Sequence, residues 1–195
     1  DIRTPLTLIK APLEEIQQKE NLSEESQANM LTAMKNVDTL LRLTTNLINF
    51  SKANVYSSSL RISEHELNTY MEGICHAFYS YAEAKQIKLD YKSNFEYQNV
   101  WFDKEKMDSI TKNLISNAIK YTPAHGEVHI IICHDKDNWS LEITDTGIGI
   151  PAKEQKKLFK LHFRGSNAIN AKITGSGIGL MLVWKLVRIH KGKIS

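Results

Sequence analysis

The chain has 195 residues, of which 42% are hydrophobic and 24% charged. This composition indicates one mid-sized globular domain or two small ones, and it excludes a fibrous or a disordered chain. Apolar stretches such as IGLMLVW (178–184) are far shorter than the roughly 18 residues of a membrane-spanning helix. Two cysteines, Cys75 and Cys133, are too few for a disulfide scaffold, so we expect a reducing, intracellular setting.

Charge is distributed unevenly along the chain. Residues 151–195 contain ten of the 25 Lys and Arg residues. Of the 22 Asp and Glu residues they contain one, Glu154. Such a cluster is usually a solvated basic face, and the alternative is a polyanionic partner. Nucleic acid and nucleotide phosphate both fit, and charge alone does not separate them.

The first 55 residues have the apolar spacing of two helices. After a break at NLS (21–23), Ser23 is the predicted N-cap of the second helix, whose apolar stripe runs over 30–48. We predict an antiparallel helical hairpin over residues 1–56 that forms a four-helix bundle on dimerisation. The alternative is a hairpin packed on the rest of its own chain. The first apolar stripe, at intervals of four and three residues, consists of Ile2, Leu6, Ile9, Leu13 and Ile16.

From about residue 57 the pattern changes to short strands and helices. The prediction for residues 57–195 is an α+β sandwich, in which a mixed, antiparallel-rich sheet is covered by helices on one face. Residues 151–174 have no clean period, and a loop of that length is typical of a lid or a binding segment. The predicted strands are 60–63, 87–93, 100–102, 128–134 and 139–145, and the predicted helices are 64–85, 103–120 and 176–190.

Four elements of this second segment indicate a nucleotide site. In NLISNAIKYT (113–122), helical spacing places Asn113, Asn117 and Lys120 in one polar stripe. The apolar stripe predicted beside it consists of Met107, Ile110, Leu114 and Ala118.

The second element, DTGIGIP (145–151), follows a strand and offers a carboxylate that is able to accept a hydrogen bond from the amino group of a base. In the third, TGSGIGL (174–180), glycines expose backbone N–H groups at the start of a helix, which is a natural phosphate site. The fourth is the basic run between them, with Phe159 and Phe163 as apolar anchors. Each element alone is weak, and the four in this order are highly specific.

Together these elements resemble the kinase core of two-component sensor histidine kinases. NLISNAIKYT is similar to the N box of that family, DTGIGIP to its first glycine box, LFKLHF (158–163) to its phenylalanine box and TGSGIGL to its second glycine box. DIRTPL (1–6) is similar to the end of the H box. DIRTPLTLIKAPLEEI and FRGSNAIN also resemble the hybrid sensors of gut Bacteroidetes.

The resemblance implies ATP and Mg²⁺ as cofactors. It assigns Asn117 as the magnesium ligand, Asn113 as its support and Lys120 as a contact to phosphate or ribose. Tyr121 is expected against the adenine, Asp145 at its amino group and Arg164 at the γ-phosphate. The base pocket and the phosphate tail are assigned to glycines and their neighbours. The full implied ATP-binding set is Asn113, Asn117, Lys120, Tyr121, Asp145, Gly147, Gly149, Ile150, Arg164, Thr174, Gly175, Gly177, Gly179 and Leu180.

The resemblance also implies the acceptor chemistry. It places the phosphoacceptor histidine directly before Asp1, whose carboxylate would act as the general base, and assigns Thr4 to positioning water for dephosphorylation of the regulator. The implied partners are a second copy of the chain through the hairpin and the receiver domain of a response regulator, with no direct binding of nucleic acid. The implied location is the cytoplasmic part of a bacterial inner-membrane sensor, with one further strand after residue 195.

Two other functions stay open at this point. ATPases of the same fold family carry a glutamate that activates water four residues before the metal-binding asparagine, where this chain has Asn113, an amide that is unable to act as a base. The second alternative is a nucleotide-binding scaffold that uses the hairpin for docking without histidine phosphorylation.

Overall fold

The computed structural model describes residues 3–19, 23–55, 59–135, 138–160, 163, 165–171, 173 and 177–195. Contacts between Cα atoms divide the chain into two compact units, residues 1–54 and 55–195. The predicted boundary was after residue 56, and the roles assigned to the two parts remain predictions. Within the described part of the chain, no helix combines the length and the apolar character needed to cross a membrane.

The first unit contains two helices, α1 (Arg3–Lys19) and α2 (Glu24–Val55). The N–H of Ser26 donates to Ser23 Oγ at 3.3 Å, so Ser23 caps α2 as predicted. The Lys10 ammonium lies 2.8 Å from an oxygen of Asp38 on α2. Val37 is buried, whereas large apolar side chains of both helices remain between 49% and 68% exposed: Leu8, Ile9, Leu31 and Leu40.

The second unit alternates strands and helices. In chain order these are β1 (Ser63–Glu66), α3 (Leu67–Ala84), β2 (Lys88–Ser93), β3 (Asn99–Phe102), α4 (Lys104–Tyr121), β4 (Glu127–Asp135), β5 (Asn138–Asp145), α5 (Ala152–Gln155), α6 (Ser166–Asn170) and α7 (Gly179–Ile189). Both α5 and α6 lie in the segment for which the sequence showed no period, because helices of four and five residues are too short to display one.

The α+β class is confirmed, but the prediction of a single sheet is wrong. Among the described residues, β2 pairs parallel with β4 and β4 pairs antiparallel with β5, while β1 and β3 form a separate antiparallel pair. The predicted strand at 60–63 is also wrong, since β1 starts at Ser63. The reason is a contact with a residue distant in sequence: the N–H of Arg61 donates to Asp103 Oδ2 at 2.8 Å, whereas a strand residue would pair with a neighbouring strand.

The core lies between the three-stranded sheet and the helices α3 and α4. Every second residue of β4, Val128, Ile130 and Ile132, is fully buried, which is the alternation of a strand with one face on the core. Against it pack Cys75 of α3 and the α4 residues Ile115 and Ile119, all buried. The other residues of this core cluster are Ile74, Ala82, Ile87 and Ala118.

The buried face of α4 differs from the predicted stripe. Met107, Ile110 and Ala118 are buried as expected, but Leu114 is half-buried and lines a cavity instead. The most buried apolar positions are Ile115 and Ile119, which the predicted stripe omitted. The helix is therefore rotated so that Ile115 and Ile119 face the core and Leu114 faces the cavity.

Candidate nucleotide-binding site

A cavity of about 500 Å³ lies among α4, the turn that follows β5, described residues between Gln155 and Ala168, and the first turn of α7. Ten of the predicted ATP-binding residues line it: Asn113, Asn117, Lys120, Tyr121, Asp145, Gly149, Ile150, Gly177, Gly179 and Leu180. Residues from four distant stretches of sequence thus meet at one place, as the interpretation of the motifs required.

The remaining predicted positions are not part of the cavity wall as described. Gly147 lies in the turn after β5 without lining the cavity. Arg164, Thr174, Gly175 and Asp1 lie outside the described residues. The backbone of Thr4 belongs to α1, but its side chain also lies outside what the structure describes.

The polar edge of α4 forms one end of the cavity. Asn113 donates from Nδ2 to the carbonyl of Ser109 at 2.7 Å, which holds the side chain in place. A Cβ on Gly179 would stand 2.8 Å from Asn113 Oδ1, so a larger residue there would displace the Asn113 side chain. The side-chain amide of Asn117 has no hydrogen-bond partner among the described residues, which leaves its oxygen available to a cation. Lys120 Nζ lies 4.9 Å from the centre of the Tyr121 ring.

The turn after β5 forms the other end. Asp145 Oδ1 accepts a hydrogen bond from the Gly147 N–H at 2.9 Å. The N–H of Ile148 donates to the carbonyl of Tyr121 at 3.1 Å, so the turn is attached to the end of α4. Gly149 has φ of +64°, a conformation that favours glycine. The second oxygen of Asp145 has no partner within the described part of the chain, and it is exposed on a residue that lines the cavity.

Several residues of the cavity wall are not among the site residues predicted from the sequence. Apolar side chains from β5, from the turn after it and from the following segment line the cavity: Ile143, Ile148 and Leu158. Phe163, one of the two predicted apolar anchors, also lines it. Asn167 of α6 also lines it, and its Nδ2 donates to the carbonyls of Ile148 at 3.1 Å and Gly149 at 2.8 Å. It belongs to FRGSNAIN, but a single polar residue in a segment without a period gives no signal of a role.

The residues fit a nucleotide with a bound divalent cation. The cavity has apolar walls and a carboxylate at one end, which suit a base with an amino group. The wall also contains the Asn117 amide, which has no hydrogen-bond partner among the described residues, the ammonium-bearing Lys120, and the glycines Gly177 and Gly179. Amide and phosphate oxygens are the donors that Mg²⁺ prefers.

Comparison with known proteins decides the family. The sequence profile of the "Histidine kinase-, DNA gyrase B-, and HSP90-like ATPase" family matches residues 102–195. Residues 102–195 belong to this family. The match contains α4, the turn after β5 and α7, so the ATPase-family segment holds all the elements that form the cavity.

The similarity to known proteins extends beyond residues 102–195 to the whole chain. The chain is 30% identical over 200 residues to "Histidine kinase P4" of Formosa agariphila, matching all of this chain and 14% of that protein. It therefore spans about one seventh of the length of this relative. The predicted resemblance to histidine kinases is confirmed.

Two solved structures show the same fold. Full-length ShkA in complex with AMPPNP superposes with a TM-score of 0.67 at 19% identity, covering 95% of this chain and 40% of that one. The histidine kinase ThkA in complex with the response regulator protein TrrA superposes with a TM-score of 0.61 at 20% identity, covering 88% of this chain and 51% of that one.

Proposed function

We propose that the chain is the ATP-dependent core of a protein-histidine kinase in a two-component signalling system. The observation that supports this most directly is the cavity itself, because it combines the N-box amides with the carboxylate of Asp145 and the glycines of the last motif. In this proposal Mg²⁺-ATP supplies the phosphoryl group, and the metal neutralises charge on the triphosphate.

The residues of the chain bind and orient the nucleotide. The amide oxygen of Asn117 would hold the metal, and Asn113 and Lys120 would contact the same metal–phosphate group. The second carboxylate oxygen of Asp145 would accept a hydrogen bond from the adenine amino group, with Tyr121 against the ring. Catalysis of phosphoryl transfer rests mostly on such positioning and charge neutralisation. Arg164, Thr174 and Gly175 complete the phosphate end in this proposal.

The proposed acceptor is a histidine directly before Asp1 in the intact protein. An imidazole nitrogen attacks the γ-phosphorus, the bond to ADP breaks, and the imidazole proton passes to the carboxylate of Asp1. Thr4, one helical turn from the histidine, would position the water that dephosphorylates the regulator. Asn113 favours a kinase over a water-activating ATPase, because an amide at that position removes no proton.

The first unit supports a homodimer. Leu8, Ile9, Leu31 and Leu40 are large apolar side chains that stay exposed on a single chain. The Lys10–Asp38 ion pair joins α1 to α2, as expected for the predicted antiparallel hairpin. A second hairpin would cover these side chains in a four-helix bundle.

The proposed phosphate acceptor downstream is the receiver domain of a response regulator. The fold it shares with ThkA, which was solved in complex with the response regulator protein TrrA, supports this partner. We place the chain in the cytoplasmic part of a bacterial inner-membrane sensor, and the resemblance of FRGSNAIN points to a hybrid type that carries its own receiver.

A chain extended at its N-terminus to include the histidine tests the proposal. With labelled ATP and Mg²⁺, it should acquire an acid-labile, base-stable label on that histidine. Asn117→Asp should disturb metal binding and slow labelling, while Asn170→Asp, which adds the same charge on an exposed α6 residue outside the cavity wall, should label at the normal rate. ATP binding without label would support a scaffold, and rapid ADP release without label would support an ATPase.

A further inference from the structure

Asn167 connects two parts of the cavity wall that are distant in sequence. Its side-chain Nδ2 donates to the carbonyl of Ile148 at 3.1 Å and to that of Gly149 at 2.8 Å. We call these two hydrogen bonds the Asn167 bridge. They join α6 to the turn after β5, which directly follows Asp145.

The bridge completes a set of contacts that hold this turn from both sides. On one side the turn is attached to α4 through the Ile148 N–H and the Tyr121 carbonyl, at 3.1 Å. On the other side the bridge holds the carbonyls of Ile148 and Gly149. The carbonyl that Asn167 contacts most closely belongs to Gly149, whose positive φ of +64° is a conformation that favours glycine.

A second contact holds the backbone directly before Asn167. The N–H of Ser166 donates to Glu154 Oε2 at 3.0 Å, which ties the start of α6 to α5. Gly165 is closely packed between the same groups, because a Cβ there would stand 2.9 Å from Asn167 Oδ1 and 3.3 Å from Glu154 Oε2. The backbone next to Asn167 is therefore held by a contact other than the bridge, and the side chain reaches the turn from there.

We propose that Asn167 is a positioning residue for nucleotide binding, acting through the turn of Ile148 and Gly149. This inference rests on the proposed function, and it adds a residue to which the interpretation of the motifs gave no role. The bridge keeps the wall behind Asp145 in its binding geometry. Both carbonyls lie at an exposed site, where water replaces a lost donor. Loss of the bridge therefore weakens nucleotide binding far more than folding.

The test compares substitutions at Asn167 and Asn170, which lie on the same short helix. Two neutral hydrogen bonds are lost in Asn167→Ala, and we expect its affinity for ATP to be about tenfold weaker, with an unchanged melting temperature. Asn170→Ala should bind ATP as the unmodified chain does. Isothermal titration calorimetry with Mg²⁺-ATP measures both.

A charged variant separates positioning from electrostatics. Asn167→Asp places a carboxylate against two carbonyls, so it should bind ATP more weakly than Asn170→Asp, which brings the same charge to the same helix. As the pH falls through the pKa of the introduced carboxyl group, that group gains an O–H donor and the difference between the two variants should shrink. Equal affinities at neutral pH would overturn the inference.

Hydrogen exchange in the nucleotide-free chain provides a result that does not depend on ATP. Without the bridge, amide protons of the turn, including that of Ile148, should exchange several-fold faster in Asn167→Ala than in Asn170→Ala. If the unmodified chain binds no ATP, the proposed function fails, and faster exchange alone then leaves the bridge as a structural contact and refutes its nucleotide role. Unchanged exchange with unchanged affinity refutes the inference while leaving the proposed function intact.

Discussion

The buried ion pair at the start of α4 gives a sharp prediction about stability. Lys106 Nζ lies 2.7 Å from Asp103 Oδ2, and the two side chains are only 6% and 3% exposed. Lys106 Nζ also donates to the carbonyl of Ser59 at 3.0 Å. Removal of one member of a buried pair typically costs about 3–5 kcal/mol, because the other charge stays buried without its partner.

Lys106→Met removes the positive charge of this pair together with the hydrogen bond to Ser59. The methionine fills a similar volume, and Asp103 keeps its hydrogen bonds from the N–H of Arg61 and from the N–H of residue 106, at 2.8 and 3.1 Å. We therefore expect a loss near the lower end of the range, about 3 kcal/mol of unfolding free energy. Lys112→Met is the matched control on the same helix, since Lys112 is 51% exposed in its pair with Asp108. Its expected loss is below about 1 kcal/mol.

Urea unfolding followed by tryptophan fluorescence measures both variants. Trp101, Trp139 and Trp184 all lie in the unit of residues 55–195, so the signal reports on the unit that contains the pair. Equal losses in the two variants, or a loss below about 1 kcal/mol for Lys106→Met, would refute the reasoning from charge burial.

The pH dependence of this difference provides a second check. Burial tends to raise the pKa of Asp103, but hydrogen bonds from Lys106 and from the Arg61 N–H outweigh it and lower the pKa below its ordinary value of 3.8. A carboxylate with a lowered pKa contributes stability above its ordinary value and loses it as the pH falls. The difference between Lys106→Met and the unmodified chain should thus be largest near neutral pH and shrink below about pH 4.

Three further predictions concern the turn, the cap of α3 and the base contact. A Cβ on Gly147 would stand 2.6 Å from the Tyr121 carbonyl oxygen, so Gly147→Ala should weaken ATP binding at least about tenfold in calorimetry. Gly73 has open space around it in α3, so Gly73→Ala should stabilise the chain by about 0.5–1 kcal/mol in urea unfolding. Equal ATP affinities of Gly147→Ala and Gly73→Ala would contradict the steric argument. Although burial opposes it, hydrogen bonds from residues 68, 69 and 98 lower the pKa of Glu66, which caps α3, to about 2. Glu66→Gln should cost about 1 kcal/mol at pH 7, and a cost that persists unchanged at pH 2 would contradict the role of the charge. Asp145→Asn should reduce the preference for ATP over GTP about tenfold, since an amide also donates to the guanine oxygen; an unchanged preference in competition binding would remove Asp145 from the base contact.

The sequence by itself determined several of the residues that reach the cavity from the motifs. The amides at the interval of four in NLISNAIKYT have to lie on one face of any helix, and a carboxylate that ends a strand has to lie at the edge of a sheet. These are consequences of local geometry, and they account for Asn113, Asn117 and Asp145 in the cavity wall.

Tertiary structure decided the features that depend on contacts between distant segments. Arg61 leaves the predicted strand because a carboxylate 42 residues later takes its N–H. Leu114 faces the cavity because α4 turns Ile115 and Ile119 to the sheet, a choice among neighbouring apolar residues that periodicity leaves open. Asn167 enters the wall through two backbone carbonyls, and every residue has such a carbonyl, so no pattern of side chains in the sequence marks the pairing.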